Sequence, residues 1–260
     1  MCGRFTLRAS PRAVAEEFAL AEPLSLGPRF NIAPSQAVAA VRLAPDAQPP
    51  RREIVLMRWG LIPSWADDPA IGNRMINARA ETAFDKPAFR AAMRRRRCLI
   101  PADGFYEWQH AGRRRQPYFF HLPDDRLFAF AGLWETWEGA DHSALERVPR
   151  DSNGQNAFET VETRRHERQT SVRHALESCT ILTTAANDLV RPIHDRMPVI
   201  VGQNDYDRWL DPRVETPEAL AALLTPLAAD VLQAYPVSAE VNRPTSDGPQ
   251  CVARLADFGF

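Results

Sequence analysis

The sequence predicts an α+β fold: a single domain with a mainly antiparallel, barrel-like β core flanked by short helices. Three observations predict it. Strand-like apolar runs and short helical patterns interleave irregularly, without the strict alternation of a parallel doubly wound sheet. Several of the runs are separated by short stretches rich in Pro, Gly and Asp, as hairpins require. A chain of 260 residues with 45% hydrophobic and 25% charged residues can also build one large core without a disulfide or metal staple.

The elements follow in order. Ser10, Pro11 and the run RAVAEEFAL read as an N-cap, a proline in the first turn and a short amphipathic helix. A Pro- and Gly-containing loop then leads to RFNIAPSQ. Residues 36–43 and 53–59 alternate as strands and are joined by the turn APDAQPP. The stretch GLIPSWADDPAIGN holds too much Pro, Gly and Asp for regular structure. NARAET (77–82) is expected to open a helical region that runs on through KPAFRAAMRRRR, whose arginines form a solvated helix end. Strands are expected at 97–101, 117–122 and 126–134, with QHAGRRRQ as a hairpin turn. Residues 139–178 carry few large apolar side chains, no sustained period and the breaker run DSNGQN. They read as a mobile polar insertion within a domain spanning 1–260. CTILTTAA and MPVIVG are buried strands, NDYDRWL is an N-capped helix, and Thr216-Pro217-Glu218 caps a last helix before a polar tail.

Composition narrows the function. No run approaches 18 apolar residues, and the opening MCGRFTLRAS has two arginines and no apolar stretch. Neither a membrane helix nor a secretory signal is expected. The expected compartment is the cytoplasm, with nucleoid association when bound to DNA. Cys2, Cys98, Cys179 and Cys251 form no CxxC pair, so no metal and no cofactor is expected. Cys98 and Cys179 sit in apolar runs and read as buried, inert thiols. The net charge of −1 conceals an asymmetry. Residues 1–120 hold 19 basic against 11 acidic side chains, and residues 121–260 hold 13 against 22. The first half therefore suits a polyanion. All but one of the 32 basic residues are Arg, which favours forked phosphate contacts.

Cys2 carries the most distinctive chemistry. Removal of Met1, which a small second residue permits, leaves a free α-amine and a thiol on one residue. The amine titrates at about 7.7–8.0 and the thiol at about 8.5. An aldehyde meeting this group forms an imine, and the thiol then closes a thiazolidine ring. An N-terminal nucleophile hydrolase would use the same pair differently, with the amine as base for the thiol. A third reading makes Cys2 only a small residue at the start of a strand.

The neighbouring motifs bear on that choice. MCGRF, RFNIAPSQ, WGLIPSW, NARAET, GFYEW, ILTTAAND and IHDRMP, in that order, resemble the SRAP (SOS-response-associated peptidase) family, sensors of abasic sites in single-stranded DNA. The resemblance runs from Cys2 to about Val201 and weakens to PVS-x-x-VN at 236–242. It implies that Cys2 forms a thiazolidine crosslink with the ring-opened aldehyde. It further implies that Asn77 orients the deoxyribose, Glu107 acts as acid or base, and His194 is the second proton-transfer group. Arg4, Arg79 and Arg196 suit flanking phosphates, and Asn31 lies in a motif on the same DNA face. Trp59, Trp65 and Trp108 are candidates for base stacking, with a core position equally open for Trp59.

Bottom-up chemistry agrees with these roles. Opening a hemiacetal needs one proton removed and another donated, work for a carboxylate and an imidazole. Glu107 lies between Tyr106 and Trp108 in an apolar segment, where burial would raise its pKa. Among six histidines only His194 sits beside an acid and an Arg before an apolar strand. The expected partner is single-stranded DNA containing abasic sites, bound by a monomer. A cysteine-type peptidase and a non-catalytic reader of modified bases are the alternatives.

Overall fold

The protein was analysed as a computed structural model describing residues 2–45, 47–112, 114–139 and 175–255. The first half contains β1 (Phe5–Leu7), α1 (Pro11–Glu17), β2 (Arg29–Ile32), β3 (Ala37–Leu43), β4 (Arg52–Trp59), β5 (Asn77–Arg79), α2 (Arg90–Arg95) and β6 (Arg97–Ala102). Then come β7 (Gly104–Ala111), β8 (Arg114–His121), β9 (Phe128–Glu138), β10 (Ala175–Ala185), β11 (Arg196–Pro198) and β12 (Ile200–Val201). The chain closes with α3 (Tyr206–Leu210), α4 (Pro217–Leu220) and β13 (Gln233–Pro236).

Five strands close on themselves in the order β4–β3–β6–β9–β10, and β10 returns to β4. The neighbours are antiparallel except at that seam, where Ser178 and Cys179 pair in parallel with Arg58 and Trp59. Closure leaves these strands no free edge, which explains continuous apolar stretches such as RCLIPA, buried at every position. A second sheet, ordered β13–β8–β7–β1–β2, packs against the barrel. Aromatic rings join the two. Phe5 of β1 meets Trp59 at 5.2 Å and Phe130 at 5.6 Å, both edge-on, and Phe105 of β7 meets Phe130 edge-on at 6.2 Å. Within the second sheet, Gly104 leaves room for the Phe119 ring of β8, since a Cβ there would lie 2.1 Å from it. The α+β, barrel-like expectation holds.

Local signals were realised where they were self-sufficient. Ser10 caps α1 by accepting from the Ala13 amide, and Thr216 caps α4 through Ala219. Cys98 and Cys179 are fully buried. NARAET is a correction: Asn77–Arg79 form a strand, a 3-10 turn follows, and the α-helix begins only at Arg90. Parallel pairing of β5 with β10, Ile181 opposite Asn77, overrides the helical preference of Ala, Arg and Glu. The hairpin turn at QHAGRRRQ shrinks, since β7 and β8 pair through His110↔Arg115 and Ala111↔Arg114. Of the expected insertion, residues 140–174 lie outside the described residues, and 175–178 are a correction: they already belong to β10, paired with β9. Arg97 is not solvated: its guanidinium donates to the carbonyls of Met93, Arg94, Trp209 and Asp211, tying α2 to α3. Burial draws its pKa down to about 10. Among the described residues, no helix is long and apolar enough to cross a membrane.

Candidate active site

The site forms where the amino-terminal segment runs beside β7. Phe5 pairs with Phe105, and the Tyr106 amide donates to the Arg4 carbonyl at 3.0 Å. This antiparallel pairing carries Cys2 toward Glu107 without any loop to wander. Cys2 is fully buried. From β5, Asn77 Nδ2 donates to the Cys2 carbonyl at 2.9 Å. The other amide atom, Asn77 Oδ1, is buried with no hydrogen-bond partner among the described residues.

Burial sets the electrostatics. It pushes the Cys2 thiol well above its ordinary value, and the nearby negative charge of Glu107 adds to the rise. Burial lifts the Glu107 carboxyl to about 7, while the positive amino terminus partly offsets the rise. Burial, then the amino terminus, lowers the pKa of His194. Cys2 and Glu107 are thus electrostatic neighbours, Asp195 beside His194 acts on Glu107, and Asn77 touches Cys2 directly.

His194 is held by its own turn. Its backbone amide donates to the Val190 carbonyl at 2.9 Å, and Asn187 Oδ1 accepts from the Val190 amide at 2.9 Å. The Arg196 amide donates to His194 Nδ1 at 2.9 Å. The Arg196 carbonyl oxygen lies 3.2 Å from the same nitrogen. Asp195 Oδ1 lies 3.1 Å from the same Nδ1.

The residues expected to face DNA divide into three groups. Trp65 is 59% exposed, and Arg79 is exposed too. Trp59 and Asn31 are buried, for Trp59 the core position that the sequence left open. Trp59 fills the barrel and donates its indole N–H to the Ile76 carbonyl at 2.8 Å. Asn31 Nδ2 lies 3.1, 2.9 and 2.7 Å from the carbonyls of Val241, Arg243 and Ser246. The remaining three are engaged within the protein. Arg4 donates to Asn31 Oδ1 at 3.0 Å and to the Val241 carbonyl. Trp108 donates to Asn242 Oδ1 at 2.7 Å. Arg196 forks onto Glu81 at 2.6 and 2.8 Å and reaches the Thr183 carbonyl at 2.6 Å.

Sequence reasoning passed over Glu81, Asn187, Asn242 and Asp247. Glu81 stands within NARAET itself, but its partner Arg196 lies 115 residues away. Asp247, which accepts from the Phe30 and Asn31 amides, offered none, because those contacts span more than 200 residues. Among the described residues, no group of three His, Cys, Asp or Glu could hold a metal ion.

Comparison with known proteins adds an independent line. The family model for SOS response associated peptidase (SRAP) matches residues 1–244. "Abasic site processing protein YoqW" of Bacillus subtilis is 38% identical over 256 residues, covering 97% of this chain and 99% of that protein. "Abasic site processing protein HMCES" of Xenopus tropicalis is 32% identical over 216 residues, covering 81% of this chain and 60% of the longer relative. A crystal structure of a Bacteroides thetaiotaomicron protein superposes with a TM-score of 0.76 at 24% identity, covering 98% of this chain and 100% of that one.

Proposed function

The chain belongs to the SRAP family, and on that premise we propose that it senses abasic sites in single-stranded DNA and joins them covalently through Cys2 after loss of Met1. The supporting observation is the convergence on Cys2. A carboxyl raised to about 7 neighbours its thiol, and an asparagine grips its carbonyl. Relatives whose names describe abasic site processing supply the substrate class.

The chemistry runs amine first. The thiol is held protonated by burial, which makes it a poor thiolate nucleophile for a peptidase. The α-amine of a processed Cys2 attacks the ring-opened aldehyde carbon. Water leaves and an imine forms. Sγ then bonds to the imine carbon, and the thiol proton passes to nitrogen. One water is released overall, and the product is a thiazolidine.

Glu107 and His194 serve proton transfer. An acid with a pKa of about 7 is present in both forms at neutral pH, so Glu107 can take a proton from the sugar hydroxyl and return one to the ring oxygen. His194 supplies a second proton-transfer group. Asn77 Oδ1 is an unused buried acceptor suited to a sugar hydroxyl. Trp65 and Arg79, both exposed, are the side chains best placed for flanking bases and phosphates.

A denaturing gel tests this. Purified protein is incubated with a single-stranded oligonucleotide carrying one abasic site. A retarded band that Cys2→Ala abolishes supports the proposal. An undiminished band from Cys2→Ala overturns it.

A further inference from the structure

We propose that Glu81 is a specificity-determining residue, a built-in carboxylate that occupies the Arg196 fork in the free protein and must be displaced by a DNA phosphodiester. This rests on the reading of the protein as a single-strand binder. The pair is bidentate, with Arg196 Nη1 and Nη2 on Glu81 Oε1 and Oε2 at 2.6 and 2.8 Å. Guanidinium meets carboxylate and phosphate with the same planar fork, so one ligand can replace the other without moving the arginine.

Exposure sets the order of approach. The Arg196 side chain is 14% exposed and that of Glu81 is 50% exposed. An anion arriving from solvent therefore meets the carboxylate before the guanidinium. The arginine stays in place without Glu81, because Nη2 also donates to the Thr183 carbonyl at 2.6 Å and the backbone is fixed in β11 opposite Ala185. Its Nε is buried with no partner among the described residues, so the guanidinium is under-bonded even when paired.

The consequence is a self-neutralised fork. Undamaged single strands gain little from Arg196, because each contact must first break an ion pair. Only DNA held by additional interactions, such as a sugar seated at Cys2, offsets that cost. Arg196 also donates its amide to His194 Nδ1, so the fork and the proton-transfer residue share one short segment.

The test measures affinity for an undamaged single-stranded oligonucleotide across a salt series, with crosslinking to the abasic version read in parallel. Glu81→Gln is close in shape and half exposed, so the fold is expected to survive. It should bind the undamaged strand about 3-fold tighter at low salt. The slope of log affinity against log salt should steepen by roughly 0.7, the share of one added phosphate contact. In an Arg196→Gln background, Glu81→Gln should change neither quantity. Weaker or unchanged binding by Glu81→Gln overturns the proposal, and so does an equal gain in both backgrounds, which marks a general charge effect. Wild type that binds single strands without crosslinking sinks the abasic-site reading alone. Wild type that binds no single strand at all sinks both.

Discussion

Asn77 holds Cys2 by its carbonyl oxygen, with Nδ2 at 2.9 Å across 75 residues of sequence. The grip fixes the backbone of the reactive residue and leaves its nitrogen and thiol free of that contact. β5 can present Asn77 there because it is zipped in parallel to β10, with Ile181 opposite Asn77. Asn77→Ala should therefore slow crosslink formation by on the order of 10²-fold, the usual result of misplaced reactants. Global stability should fall by only about 1 kcal/mol. Single-turnover rates and urea melts measured side by side separate the two effects.

Glu107 should impress its pKa on stability. Its folded value of about 7 stands above the ordinary 4.5, because burial disfavours the charged form. The protonated group's contribution is fully present below about 4.5 and is lost as pH rises through about 7. A shift of this size is worth on the order of 3 kcal/mol. Wild type should lose stability between pH 5 and 8 in urea melts, within those limits. Glu107→Gln should flatten that dependence and be the more stable protein at pH 8. The same variant should also slow crosslinking by ~10²–10⁴-fold.

The two motif tryptophans should behave oppositely. Trp59 is fully buried against Phe5, and Trp65 is 59% exposed. Trp59→Ala should destabilise the fold by about 3–5 kcal/mol. Trp65→Ala should leave the melting curve unchanged and weaken single-strand binding by about 1–3 kcal/mol. Fluorescence anisotropy with a labelled oligonucleotide and thermal melts distinguish them.

Asn31 should act on folding ahead of DNA. Its amide nitrogen bridges the carbonyls of Val241, Arg243 and Ser246, and its oxygen accepts from Arg4. Asn31→Ala leaves those buried groups short of partners and should cost about 1–3 kcal/mol. Chemical denaturation measures it directly.

Legibility in the sequence tracked how local each determinant was. The Ser10 cap and the β3–β4 pair are written in neighbouring residues, and the structure forms both. The candidate catalytic set was nominated from motifs, and the structure places Cys2 beside Asn77 and Glu107. NARAET was misread because its strand exists only through β10, which lies a hundred residues away. Trp59 and Asn31 were ambiguous because surface and interior tryptophans look alike in a motif, and a buried asparagine needs distant carbonyls to be recognised. Arg196 looked like an open phosphate fork until Glu81 was found in it. Partners across a fold leave no periodicity to read.

The central claim is that the amine and thiol of Cys2 together capture the aldehyde. Peptide mapping of the crosslinked species by mass spectrometry tests it most directly. The account predicts a chain lacking Met1, an adduct on the peptide that begins at Cys2, and a mass equal to protein plus oligonucleotide minus one water. The thiol should resist alkylation, and no borohydride should be needed to preserve the bond. Lys86, the one lysine of the chain, is the competing amine. An adduct on Lys86, an adduct seen only after borohydride trapping, or full yield on a chain that retains Met1 would contradict the account.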